Sequence, residues 1–483
     1  VTKSSSPIRD YQSAADFLFG RINYEQTRRV PYRSEEFKLQ RMQDLASRLG
    51  NPERSFPAVH IAGTKGKGST SAMIASILQD AGYRCGLYTS PHLYRLEERF
   101  VVNGQACDEA TIVALLAQIE PIIAELDAVA ESAGRQGPTY FEVTTAAALE
   151  YFRQQKVDVA VLEVGLGGRL DSTNICLPQV TAITSISLDH MPQLGSTLGA
   201  IAREKAGICK PGVPMVTGVT EPEPLEVIEE TARTTGAPLL ARGKDFDFEY
   251  LPHVFIPDKR VADADDGACG LNYYDDSQGV SGSIEQIALG MLGRHQAVNA
   301  SVALAVCGVL QRQGWRISEP AMRSGLARAR CPARIEILSQ TPPVVLDTAH
   351  NPASVAALLS LLEERFRARP KLLLYAASHD KDSRSMLEQL LPHFDHVVLT
   401  RFLSNPRAAK PQQLLALAES ICQAHRWSRP ALYACPDPAS AWQLLVSRAT
   451  PQDLICITGS FFLAAEARPL AEAYVRSFAA ANS

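Results

Sequence analysis

The stretch His60–Ala81, HIAGTKGKGSTSAMIASILQDA, constrains this chain more than any other. Ala58, Val59, Ile61 and Ala62 make a short apolar run fit for a buried strand. Met73, Ile74, Ile77, Leu78 and Ala81 then recur at helical spacing. Between them Gly63-Thr64-Lys65-Gly66-Lys67-Gly68-Ser69-Thr70 has to turn a strand into a helix. Its glycines let backbone N–H groups close around phosphate oxygens, the helix N-terminus adds partial positive charge, and Lys67 can neutralise a β- or γ-phosphate. Ser69 can then ligate Mg²⁺. The spacing departs from the usual phosphate loop, because Gly68 separates Lys67 from the hydroxyl and no glycine stands where that loop begins. A variant nucleotide loop is the reading that fits. The plainer alternative, a glycine-rich turn carrying two solvated lysines, does not require strand and helix to flank it in this order.

At 483 residues the chain exceeds what one hydrophobic core organises, so two domains of unequal size are expected. A formal charge of −4 offers no basic excess for a nucleic-acid partner. The ten cysteines form no C-x-x-C pair, and Cys307 and Cys456 lie in apolar runs, which fits a reducing cytoplasm. No leader and no bilayer-length apolar stretch stands out, and Val1–Pro7 reads as a loose tail. A cytoplasmic monomer that binds no membrane is expected.

Strand and helix patterns alternate along the chain. Asp10–Arg48 is mostly helical in pattern, and its Asn23-Tyr24-Glu25 carries no derivable chemistry. A second strand, Cys85–Tyr88, leads to the loop Thr89-Ser90-Pro91-His92-Leu93. A long helical region over Asp108–Ala133 precedes Thr139-Tyr140-Phe141-Glu142 and another helix to Phe152. Such alternation predicts a parallel sheet with helices on both faces. Val157–Val164 is the clearest buried strand, and it delivers Glu163 to the carboxyl edge, where open α/β sheets bind ligands. Val180–Ile186 brings Asp189 and His190 to the same edge. From pattern alone His190 reads equally as a structural residue or a metal ligand. Lys205, within the short helix Ile201–Ile208, reads as an ordinary solvated lysine.

From Asp245 to Ser283 the chain turns irregular and acidic, with Asp263, Asp265 and Asp266 beside glycines, as in surface loops or hairpins. Regularity returns over Leu289–Leu310, where Gly293-Arg294-His295-Gln296 precedes a helix bearing Asn299, and Ala321–Pro332 predicts a connector. A second strand and helix series follows, with polar strand ends at Asp347–Pro352, Asp380–Asp382 and Gly459-Ser460. The expected fold is α/β. A larger N-terminal phosphate-loop ATPase domain with a parallel sheet spans 1–331, and a smaller Rossmann-like domain spans 332–483.

Two such domains would form a cleft with nucleotide on one wall and a second substrate on the other. That geometry suits group transfer. Joining a carboxylate to an amine near neutral pH requires activation, and phosphorylation by ATP makes an acyl phosphate with a good leaving group. Pattern alone describes a kinase equally well.

GTKGKGST at 63–70, TSPHL at 89–93, EVGLGGRLDSTN at 163–174, LDH at 188–190, EKAGI at 204–208, HQAVNA at 295–300 and DTAHNP at 347–352 together resemble the folylpolyglutamate synthase family. That family includes bifunctional dihydrofolate synthases and belongs to the Mur ligase superfamily. The resemblance runs in order from about Asn23 to Ser460 and implies ATP and Mg²⁺ as cofactors, with folate or dihydropteroate and L-glutamate as partners. It implies that Gly63, Thr64, Lys65, Gly66, Lys67, Gly68, Ser69 and Thr70 bind ATP, with Asn299, Arg334 and Asp347 reaching the nucleotide across the cleft from the hinge and second domain. It makes Ser69, Glu163 and His190 the metal ligands, and Lys205 a carbamylated lysine that helps bind a second Mg²⁺. Ser90, Pro91, His92, Thr139, Tyr140, Phe141 and Glu142 become folate-side residues, with Tyr140 or Phe141 to stack on a pterin. His350 and Ser460 become glutamate-side residues. Lys67, Lys205 and His350 are the implied catalytic residues.

Two departures stand out against the resemblance. Thr348 and Ala333 occupy positions where the family usually has glycine, so each adds a Cβ where the backbone was unrestricted. Altered loop detail with activity retained is expected. The implied reaction is ATP-dependent addition of L-glutamate to the γ-carboxylate of a folate. Its rivals are dihydrofolate synthesis from dihydropteroate, both activities together, and a peptidoglycan-precursor ligase, against which the TSPHL and Thr139–Glu142 segments argue. From another class comes an ATP-hydrolysing switch or binding module, which needs no glutamate.

Overall fold

The computed structural model describes residues 7–23, 39–254, 268–277, 282–366, 370–428 and 430–482. Residues 1–6 of the expected tail Val1–Pro7, the segment Tyr24-Glu25, and Asp263, Asp265 and Asp266 lie outside the described residues. Two compact units emerge. The first comprises Val1–Leu251, Gly270–Leu289 and Gln296–Arg330, and the second Pro252–Cys269, Gly290–His295 and Cys331–Ser483.

Among the described residues, the first unit is built on an eight-stranded sheet. Its strands are β1 (Ala58–Ala62), β2 (Cys85–Tyr88), β3 (Phe100–Val102), β4 (Gln105–Ala106), β5 (Val159–Glu163), β6 (Pro178–Ile183), β7 (Met215–Thr217) and β8 (Leu239–Ala241). Their order is β4-β3-β2-β5-β1-β6-β7-β8. Pairing is parallel from β2 through β8, and β3 and β4 add an antiparallel edge around the turn at Asn103-Gly104. β1 and β5 sit centrally and are buried along their whole length, which explains their unbroken apolar sequences.

Beyond this sheet one reading is refined and one corrected. Of the two forms expected for the acidic stretch, loops or hairpins, the described residues take the second: β9 (Phe246–Val254), β10 (Ala268–Asp275) and β11 (Gly282–Ala288) form a sheet in the order β11-β10-β9, with β10 and β11 antiparallel. Of β9 only the end residues Phe246 and Val254 are buried, so its sequence gives no continuous apolar signal. The predicted connector over Ala321–Pro332 is largely the helix Glu319–Arg328, capped by the Ser318 side chain. This helix packs on Lys67–Asp80. Gly325 lies so close to Ile77 that a Cβ would strike its backbone, Ser76 Oγ donates to the Gly325 carbonyl at 2.8 Å, and Arg328 pairs with Asp80. A glycine and several arginines hid a helix whose stability comes from that close approach.

The second unit carries β12 (Glu336–Gln340), β13 (Pro343–Leu346), β14 (Lys371–Tyr375), β15 (His396–Leu399), β16 (Ala431–Ala434) and β17 (Leu454–Thr458), in the order β12-β13-β17-β14-β15-β16. All pairs are parallel except β12 with β13. The antiparallel β12 was not legible, since each of its residues is only half-buried. Val345, Leu373, Tyr375, Val397 and Cys456 meet Val355, Leu358, Leu362, Met386 and Leu390 in the core of this unit. Among the described residues no helix is long and apolar enough to cross a membrane, and all ten cysteines are free thiols.

Candidate active site

In the first unit β1 ends at Ala62 and the glycine loop follows before the helix Lys67–Asp80 begins. The segment after β6 braces this loop. Thr64 N–H donates to the Ser185 carbonyl at 2.7 Å and Lys65 N–H to Ser185 Oγ at 3.0 Å. The Thr184 and Ser185 hydroxyls donate to the Lys65 carbonyl at 2.6 and 3.0 Å. Gly66 caps the helix at φ +82°, and a Cβ there would collide with the Asn299 side-chain oxygen. Asn299 therefore belongs to the same unit as the loop and lies directly against it, correcting the expected approach from a hinge and second domain. Gln296 Oε1 holds its amide at 2.9 Å.

The two loop lysines differ. Lys65 Nζ is 2.6 Å from Asp189 Oδ2. Lys67 Nζ makes no hydrogen bond or ion pair among the described residues, leaving its charge at the helix N-terminus for an anion. The buried Lys205 donates from Nζ to the Gly63 carbonyl at 2.8 Å. Burial, followed by the charge of Lys67, lowers its pKa well below the ordinary lysine value, while Asp189 opposes the shift. The solvated reading of Lys205 is thereby excluded.

Glu163 closes β5 and is almost wholly buried. Its Oε2 accepts the Ser90 N–H at 3.2 Å and would stand 3.4 Å from a Cβ on Gly68. The carboxylate thus meets the start of the helix, one residue from Ser69, and also ties down the Ser90-Pro91-His92 loop. His190 adopts a left-handed backbone at φ +50°, with its side chain half exposed and Nε2 4.0 Å from Asp189 Oδ1. A hydroxyl and a carboxylate are suitable oxygen donors for a hard divalent cation, an imidazole is a softer one, and a buried carboxylate beside the loop fits such an ion. Among the described residues no three His, Cys, Asp or Glu side chains cluster as a metal site. An ion there would need Ser69 and phosphate oxygens as well.

The segment Thr139–Glu142, expected to face folate, is largely structural. Thr139 caps the helix Tyr140–Gln154 in a reciprocal box with Glu142, and Arg41 forks onto the Glu142 carboxylate at 2.8 and 3.0 Å. Tyr140 is fully buried, stacked on Phe19 at 5.5 Å and lying under the Arg99 guanidinium, so it has no face for a pterin. Phe141 is half-buried, and its ring lies over Gly165, just past Glu163. Arg99 Nε donates to His92 Nδ1 at 2.8 Å. Arg99 is buried, and no pattern in its sequence neighbourhood assigns it to the site.

The second unit assembles its own polar strand ends. Asp347, after β13, accepts the Ala349 N–H at 2.7 Å, the Ile335 N–H at 3.0 Å and the Thr458 hydroxyl at 3.3 Å. Burial raises its pKa, against the lowering effect of Arg334. His350 Nδ1 lies 2.9 Å from the Thr348 carbonyl. A carbonyl only accepts, so Nδ1 carries the proton and Nε2 is the acceptor of the neutral ring. Phe461 joins these groups: the Arg334 guanidinium stands 4.7 Å from its ring centroid and the His350 ring 6.1 Å away. The buried Ser460 accepts the Phe462 N–H at 3.1 Å. Phe461 went unassigned from sequence, although its place directly after Gly459-Ser460 marked it. Ala333 is left-handed at φ +54°, as expected for a glycine position, whereas Thr348 is not left-handed and instead buries a hydroxyl without a partner.

The Mur ligase middle domain matches residues 61–307, and the Mur ligase glutamate ligase domain matches residues 333–461. A dihydrofolate synthase/folylpolyglutamate synthase of Bacillus subtilis (strain 168) is 35% identical over 465 residues, covering 95% of this chain and 98% of the relative. E. coli FolC, solved in complex with DHPP and ADP, matches with a TM-score of 0.79 at 32% identity, covering 97% of this chain and 99% of that one. A bifunctional folylpolyglutamate synthase/dihydrofolate synthase solved with Mn, AMPPNP and L-glutamate matches with a TM-score of 0.77 at 29% identity, covering 97% and 99%.

Proposed function

Because the chain belongs to the Mur ligase family, in its folylpolyglutamate synthase and dihydrofolate synthase branch, we propose that it is an ATP-dependent ligase joining L-glutamate to a folate or to dihydropteroate. The observation that carries this reading is the braced glycine loop, with Lys67 uncommitted and the Glu163 carboxylate against Gly68. Loop N–H groups and Lys67 bind the ATP phosphates. The substrate carboxylate attacks the γ-phosphorus, an acyl C–O–P bond forms, and the bond to ADP breaks. Charge builds on the transferred oxygens, where Lys67 acts more strongly than on the bound ground state.

Glutamate's amine then attacks the acyl carbon, phosphate leaves with the electron pair of the C–O bond, and the amine proton is lost. His350 Nε2, with Nδ1 pinned by the Thr348 carbonyl, accepts an N–H of that amine and orients its lone pair. Ser460 supports the same substrate, and Arg334 and Asp347 serve the nucleotide.

A divalent metal, assigned here as Mg²⁺, supplies charge neutralisation between the phosphates when bound. Ser69, Glu163 and His190 would hold it. Lys205 fits carbamylation, since burial keeps more of its amine neutral and able to attack CO₂. The carbamate so formed would add a carboxylate to the metal side of the loop. Free cysteines accord with action in a reducing cytoplasm.

The test is direct. Purified protein with ATP, Mg²⁺ and L-glutamate is offered dihydropteroate or tetrahydrofolate in parallel, and products are resolved by mass. A mass increase of one glutamyl residue with either acceptor is expected, with both if the enzyme is bifunctional. ADP release that ignores glutamate and acceptor would instead make the protein an ATPase switch.

A further inference from the structure

The loop's two lysines have different surroundings, and their difference extends to the metal side. Lys65 lies beside Gly66 yet turns its ammonium onto Asp189, with both side chains mostly shielded from solvent. Asp189 uses its other oxygen. Oδ1 accepts the backbone N–H of His190 at 2.9 Å, at a residue held in the left-handed region. For a non-glycine residue that backbone costs about 1–2 kcal/mol, so it persists only where neighbours hold it. One carboxylate therefore joins the phosphate loop through Lys65 to the turn that carries His190. The loop end of this link is itself fixed, because Thr184 and Ser185 hold the Lys65 backbone from both sides.

We propose that Lys65 and Asp189 form a clasp that positions His190 relative to the phosphate loop, so that Lys65 acts by positioning while Lys67 alone meets phosphate. The inference rests on the proposed role of His190 as a metal ligand. It departs from the sequence reading, which assigned Lys65 to ATP directly. A clasp of this kind has a particular thermodynamic signature. Breaking it from either end releases the same turn, so the two changes do not add. It should also weaken the metal-dependent part of nucleotide binding and spare the part supplied by the loop N–H groups and Lys67.

The experiment is a double-mutant cycle on the full chain with Lys65→Met, Asp189→Asn and both together. Binding of ADP is measured by calorimetry with Mn²⁺ and with EDTA, and bound Mn²⁺ by its paramagnetic resonance signal. Both single changes nearly conserve size, and melting temperatures verify folding. Each single variant is expected to weaken Mn²⁺·ADP binding about tenfold, near the low end for groups that orient a metal ligand. The double variant is expected to be no weaker than either, with ADP binding in EDTA changed less than about twofold. Asp189→Ala, which also removes the acceptor for the His190 N–H, is expected to be weaker still. Additive losses, unchanged Mn²⁺·ADP binding, or an equal loss in EDTA would overturn the clasp. Absence of any metal-dependent ADP binding in the unaltered protein would overturn the metal-site reading beneath it as well, which separates the two failures.

Discussion

The two units solve the same problem at the carboxyl ends of parallel strands, but with different materials. In the first, function is written into the main chain. Glycines turn β1 into a helix, hydroxyls from the segment after β6 brace the turn, and Lys67 remains uncommitted. In the second, side chains do the arranging. Phe461 lies against both Arg334 and His350, and Asp347 gathers two backbone N–H groups and a hydroxyl. A main-chain site is specified by where Cβ atoms are missing, whereas a side-chain site depends on residues brought together from separate strands.

The largest expected effect lies in the first unit. Lys67→Met removes the one loop ammonium with no partner among the described residues, so turnover should fall by about two to three orders of magnitude, as when a transition-state donor is lost. Melting should change little, since Lys67 supports no hydrogen bond among the described residues. Single-turnover ADP formation is the measurement. A loss confined to ATP affinity would assign Lys67 to ground-state binding and blur the distinction between the units.

Acid should affect both units through buried histidines. Burial lowers the pKa of His60 to about 3 and of His295 to about 4, with Lys210 and Arg334 respectively adding to the shift. His60 has a clear structural reason. Thr173 gives its hydroxyl proton to Asp171 at 2.6 Å, so His60 Nε2 must donate to Thr173 at 2.8 Å, leaving Nδ1 without a partner. Because these native values lie below the unfolded value of about 6.5, the unfolded chain binds protons first as pH falls. Stability should therefore be undiminished by these groups above about pH 6.5 and decline towards pH 4, by up to about 1.4 kcal/mol per pH unit for each histidine. Denaturant unfolding of His60→Gln and His295→Gln should show correspondingly flatter pH profiles. A profile unchanged in one variant would show that its histidine is not held neutral by the folded unit.

Much of this contrast is legible in the sequence alone. The glycine loop, the apolar runs of β1 and β5 and the polar strand ends all follow from local patterns, and Glu163 was placed because its strand has no interruption. What escaped was non-local. Asp189 could be seen at a strand end, but nothing in the sequence says that Lys65 rather than Lys67 reaches it. Tyr140 looked available for stacking because aromaticity says nothing of exposure, and Phe19 and Arg99 enclose it from distant segments. The helix Glu319–Arg328 was obscured by the very glycine that permits its packing.

Phe461→Leu tests the side-chain arrangement of the second unit. Removing the ring takes away the face beneath Arg334 and the neighbour of His350, an interaction worth about 0.5–2 kcal/mol. The Michaelis constants for ATP and glutamate should rise about threefold to tenfold, with kcat less affected, and Phe461→Tyr should restore them. Equal defects in the leucine and tyrosine variants would mean that Phe461 acts through packing alone.

The smallest effect provides the finest comparison between the units. Ala147, within the first unit's helix Tyr140–Gln154, and Ala333, beside Arg334, are both buried alanines. Changing Ala147 to Gly gives up helix propensity of about 1 kcal/mol and a buried methyl worth about 0.8 kcal/mol, so the loss should approach 2 kcal/mol. Ala333→Gly also loses a methyl and frees the unfolded chain by about 0.4–1 kcal/mol, but relieves a left-handed backbone worth about 1–2 kcal/mol. These opposing contributions nearly cancel, so its unfolding free energy should stay within about 0.5 kcal/mol of the parent. Denaturant midpoints for the two variants, measured side by side, decide the matter. Equal destabilisation would mean that the Ala333 backbone carries no strain, and that the missing glycine there altered nothing in the arrangement around Arg334.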